Sequence, residues 1–94
     1  MKINIIDFEN LINSGDALVY FYADWCGKCK MVSMELEKIN SLKILKVDAD
    51  KNRDICKKYG VMSLPTLIYF KSDGSFNSLT GLVSSDDILD FIKK

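Results

Sequence analysis

The chain has 94 residues, which suits one domain over residues 1 to 94 built on a single core. Lys plus Arg and Asp plus Glu balance at 13 each, so no net field draws it to nucleic acid or to an acidic membrane surface. Apolar residues at 48% and charged residues at 28% are ordinary for a soluble globular protein.

Residues 2 to 6 read as a short strand. The pair Ile5 and Ile6 runs straight into Asp7 and Glu9, so the apolar core of a signal peptide is missing. Asp7 can cap a following helix whose Phe8, Leu11 and Ile12 recur at helical spacing, and Ser14, Gly15 and Asp16 break it. Residues 17 to 23, ALVYFYA, are too few for a buried helix or a membrane span. Their aromatic and β-branched content predicts a central strand covered on both faces. From about residue 26 to 40 the period turns helical, with Cys29, Val32, Leu36 and Ile39 on one face. A strand over 43 to 48 follows, then a short helix around 52 to 59 closed by Gly60. Residues 66 to 71 and 75 to 80 predict a hairpin across the turn at 72 to 74. Ser84 with Asp86 and Asp87 opens the last helix, where Ile88, Phe91 and Ile92 form the apolar stripe and Lys93 and Lys94 suit its negative end. This order implies an α/β fold: a mixed sheet with helices on both faces, parallel where helices cross over and antiparallel at the hairpin.

Two cysteines three apart, Cys26 and Cys29, sit where the central strand gives way to a helix. Without a signal peptide the expected location is the cytoplasm, where permanent disulfides are rare, and three cysteines are an odd count for a stapled domain. A structural zinc site wants four sulfur or nitrogen ligands, and the chain has no histidine and only Cys56 to add, so no metal is expected. A dithiol that cycles remains. At a helix start, unpaired N–H groups and the positive dipole end stabilise a thiolate, and Cys26 is nearest to them. Spacing of three puts Cys29 on the same face, within reach of a bond. Cys26 is therefore read as the nucleophile and Cys29 as the resolving thiol. Cys56 shares the inner side of its helix with Ile55 and Tyr59 and reads as a small buried apolar residue.

The run Trp25, Cys26, Gly27, Lys28, Cys29 resembles the active site of the thioredoxin family, W-C-G-P-C. The likeness extends over Tyr22 to Lys30, the segment KYGVMSLPT at 58 to 66, and Gly74 and Gly81. It implies a thioredoxin-like three-layer fold and a monomeric protein-disulfide reductase that holds no cofactor. The implied partners are disulfide-containing target proteins and a separate reductase, since no G-x-G-x-x-G follows any strand to hold a nicotinamide. It also implies that Pro65 is cis and lies against the cysteine pair, leaving the Leu64 backbone to pair with an extended substrate segment. Trp25, Ser63, Leu64, Gly81 and Leu82 would form the docking surface. Two alternatives are a binding module without turnover, which would need neither cysteine, and a glutathione-linked oxidoreductase.

Departures from the family pattern fall around the pair. Tyr20 stands where the family commonly buries an aspartate behind the second cysteine, while the family's lysine partner is present as Lys46. A lysine on an inner strand is expected to be buried, and would then need another carboxylate, Tyr20, or loss of its proton. Lys28 replaces the family's proline between the cysteines, and Met34 its mid-helix proline, which predicts a straighter helix.

Overall fold

The computed structural model describes residues 2 to 13 and 15 to 93, and its first element is a helix where the sequence predicts a strand. Helix α1 runs Ile5–Ile12, and the Asn4 side chain caps it by accepting from the Ile6 N–H at 2.8 Å. Asp7 lies inside the first turn instead of at the cap. The Ile3 N–H donates to the Asn52 side chain at 2.6 Å, so a side chain takes the bond a neighbouring strand would have taken. Of the break read at 14 to 16, Ser14 lies outside the described residues, as does Lys94 beyond the last helix.

Three strands and two helices follow the plan read from the sequence with ends trimmed by a residue or a few: β1 at Ala17–Tyr22, α2 at Gly27–Leu36, β2 at Ile44–Asp48, α3 at Arg53–Lys58 and β3 at Thr66–Phe70. Strand β4 (Phe76–Thr80) and helix α4 (Ser85–Ile92) complete the chain. Ser84 and Asp87 close a reciprocal capping box at the start of α4. The sheet order is β2-β1-β3-β4. β2 is parallel to β1, as a helical crossover requires, but β3 is antiparallel to β1 although it follows α3. At 1.5 Å per residue, the six residues of α3 advance about 9 Å, too little to carry the chain back along the sheet. β3 therefore starts at the end where β1 stops, with Thr66 opposite Phe21, and runs the other way.

Each face of the sheet has its own core. Leu18, Tyr20, Leu67 and Tyr69 pack with Cys29, Val32 and Leu36 of α2 and Ile88 of α4. On the opposite face Val19, Phe21, Ile68 and Phe70 pack with Phe8 and Ile12 of α1 and Ile55 and Cys56 of α3. β1 is covered on both sides, as its composition predicts. β2 is an edge strand, and Lys46, opposite Tyr20 in the register, is exposed. The expectation of a buried lysine is corrected: at an edge, a long side chain keeps its ammonium in water.

Candidate active site

β1 ends at Tyr22, and the next three residues turn the chain so that the Cys26 N–H meets the Ala23 carbonyl at 3.2 Å. Cys26 keeps extended dihedrals (φ −88°, ψ 108°) and is the N-cap of α2, its sulfur accepting from the Cys29 N–H at 3.2 Å. The two cysteines are joined in a disulfide with their Cα atoms 5.3 Å apart. Cys26 is the outer partner at 7% exposure against 2% for Cys29. After reduction, the Cys29 N–H and the helix dipole would bear on a Cys26 thiolate, and nothing comparable reaches Cys29 one turn in. Gly27 and Lys28 stand exposed between them.

Behind Cys29 the Tyr20 side chain is buried at 1% exposure, stacked on Tyr22 with centroids 5.5 Å apart. Its hydroxyl donates to the Cys29 carbonyl at 2.5 Å. A phenol has one hydrogen, so the Ser33 hydroxyl, 2.9 Å away, is the donor to the Tyr20 oxygen. Burial pushes the Tyr20 acid up; the Ser33 hydrogen bond works against that shift, and Tyr22 adds to it. The group is a neutral clamp on the first turn of α2 and a poor base. Ser33 was not foreseen, and its only signal in the sequence is a position four after Cys29 on the same helix.

Trp25 stands 71% exposed beside the pair, its indole N–H donating to Asp50 at 2.7 Å. Asp50 is a second residue that sequence reading missed, because nothing local links it to Trp25. The Leu64–Pro65 peptide is cis, and Leu64 packs against the cluster that holds both cysteines. The Pro65 carbonyl accepts from the Gly81 N–H at 3.0 Å. Gly81 has φ 94°, and a Cβ there would meet nothing within 4 Å, so conformation and not space demands glycine. Among the described residues the Leu64 N–H and carbonyl make no hydrogen bond within the chain, which leaves both free for an extended segment. Ser63 and Leu64 line a recess with Trp25, while Leu82, 54% exposed, lines another with Met31. Lys46 joins neither.

Cys56 also reaches the first recess, though it is only 8% exposed. Burial pushes its thiol up, and Asp54, Asp48 and Asp50 add to the shift, which disfavours the reactive thiolate. No three potential metal ligands converge among the described residues, and none of their helices is long and apolar enough to cross a membrane.

The thioredoxin family model matches residues 1–94. A thioredoxin of Staphylococcus aureus is 36% identical over 99 aligned residues, covering 100% of this chain and 95% of that protein. Among solved structures, oxidised mitochondrial thioredoxin 3 of Saccharomyces cerevisiae superposes with a TM-score of 0.84 at 31% identity, over 99% of this chain and 92% of that one. A mutant thioredoxin from Halobacterium salinarum gives the same TM-score at 28% identity, over 99% and 85%.

Proposed function

The chain belongs to the thioredoxin family and is a thiol–disulfide oxidoreductase that reduces disulfides, and on that premise we propose that Cys26 attacks a target disulfide and Cys29 resolves the product. The Cys26 thiolate displaces one target sulfur, which leaves as a thiolate and takes a proton from solvent, and a mixed disulfide links Cys26 to the other. Cys29 then loses its proton and attacks the Cys26 sulfur. The second target thiolate leaves as the Cys26–Cys29 bond closes, so two electrons have passed to the target. The observation that carries this assignment is the Cys26 sulfur at the N-cap of α2, accepting the Cys29 N–H.

A separate reductase returns the two electrons. Trp25, Gly27, Lys28 and Pro65 surround the pair and tune it; Trp25, Ser63, Leu64, Gly81 and Leu82 dock the target. The protein works as one domain and as a monomer, in the cytoplasm, on protein disulfides and not on nucleic acid or membrane. Catalysis of insulin reduction with dithiothreitol as electron source tests the activity, and a binding module would give no acceleration. Cys29→Ser should accumulate mixed disulfides with target proteins, and Cys26→Ser should not. Equal trapping by both variants would reverse the roles.

A further inference from the structure

Between Trp25 and the turn at 61 to 64 lies a recess of about 420 Å³ walled by α3. Arg53 and Lys57, one helical turn apart on α3, both line it. The neighbouring charges are already engaged. Asp54 pairs with Lys2 at 2.6 Å, Lys58 pairs with Glu9, and Asp50, the carboxylate within the recess, accepts from the Trp25 indole at 2.7 Å. Among the described residues neither Arg53 nor Lys57 has a carboxylate partner; they share the lining with Asp50, while Asp48 and Asp54 bear on the recess at Cys56. A second recess of about 410 Å³, bordered by Met31 and Leu82, is lined by Glu35, which pairs with Lys38, and by Asp87 of the capping box. On a chain with no net charge, these two cations are a local feature of one side of the docking surface.

We propose that the recess beside α3 selects target segments that carry an acidic side chain next to the disulfide, with Arg53 and Lys57 as the specificity-determining residues. This rests on the reductase reading of Cys26 and Cys29. Trp25 and Met62, 71% and 96% exposed, offer apolar surface to the residue beside the acidic one. Rim charges of this kind act on encounter: a glutamate approaching α3 is attracted and a lysine repelled.

Three peptides, each closed by an internal disulfide and differing only in Glu, Gln or Lys beside one cysteine, test the proposal with dithiothreitol as electron source. At low salt the Glu peptide should be reduced fastest and the Lys peptide slowest, with about threefold between neighbours in the series, as for exposed charge pairs. Raising the salt should narrow the gap. Arg53→Glu combined with Lys57→Glu should invert the order, and the single variants Arg53→Gln and Lys57→Gln should each compress it. Equal rates for the three peptides at low salt would overturn the proposal and leave the reductase reading intact. An order that survives the double substitution would also overturn it. Failure to reduce any of them would remove the reductase reading, and the selectivity with it.

Discussion

Tyr20 puts a neutral hydroxyl behind a cysteine that must lose a proton before it can act. The hydroxyl gives its hydrogen to the Cys29 carbonyl and takes one from Ser33, so it holds the turn without drawing on the Cys29 thiol. Its acidity, lowered further by burial, leaves no base at neutral pH. With Lys46 exposed on the edge strand, neither of the two residues that the family resemblance singles out behind the pair supplies one. Tyr20→Phe should therefore leave the rate of mixed-disulfide resolution near neutral pH unchanged, while costing about 1 kcal/mol of stability through the lost hydrogen bonds. Tyr20→Asp should speed resolution by placing a carboxylate there. Rapid-mixing measurements of target release from a preformed mixed disulfide check both, and a folded Tyr20→Asp variant with an unchanged or slower rate would show that the lack of a base at position 20 does not limit resolution.

At the scale of elements, Asn52 fastens the start of the chain to the end of β2. It is fully buried, accepts from the Ile3 N–H at 2.6 Å and donates to the Asp48 carbonyl at 2.9 Å. Asn52→Ala would strand both backbone groups, and the expected loss is about 1–3 kcal/mol, read as a lower urea midpoint. Asn52→Asp should recover only the Ile3 bond. This contact also explains why the first element was misread. Residues 2 to 6 alternate like a strand, but Ile5, Phe8 and Ile12 fit a helix equally once Asn4 caps it, and Asn52, some fifty positions away, takes the Ile3 N–H that a strand partner would have taken. Lys46 was misjudged for a related reason: pattern shows that residues 44 to 48 form a strand, not that it lies at an edge. What was legible had local causes. The aromatic run of β1, the cysteine spacing at a helix start and the Ser84 cap all declare themselves within a few residues. Ser33 and Asp50 did not, because their roles exist only once α2 lies on β1 and Trp25 meets the turn after β2.

Across the whole molecule, two sets of titrating groups frame the pH range of stability. Hydrogen bonds from Lys58, Lys38 and Lys2 hold Glu9, Glu35 and Asp54 below the ordinary carboxylate range. Their contribution is present above that range and is lost as pH falls through it. The groups are exposed, so the acid arm should be shallow and should weaken further in salt. Burial raises Tyr20 and Tyr69, and burial together with the Glu9 hydrogen bond pushes Tyr59 up to about 12. A raised phenol favours the folded state fully below about pH 10, its unfolded value, and that contribution disappears as pH climbs through the folded value. Thermal unfolding followed by circular dichroism should therefore fall more steeply on the alkaline side, and Tyr59→Phe should flatten that fall. β1 adds a consequence in time. It is hydrogen-bonded along both edges and covered on both faces, so its amides meet solvent only when the sheet as a whole comes apart. In deuterated buffer, β1 should keep its protons for as long as the native fold persists, while the amides of residues 62 to 64 and of Leu82 and Val83 trade theirs almost at once. The sulfurs that react stand just beyond the end of the strand that loosens last, and the surface that meets a target is among the first to open.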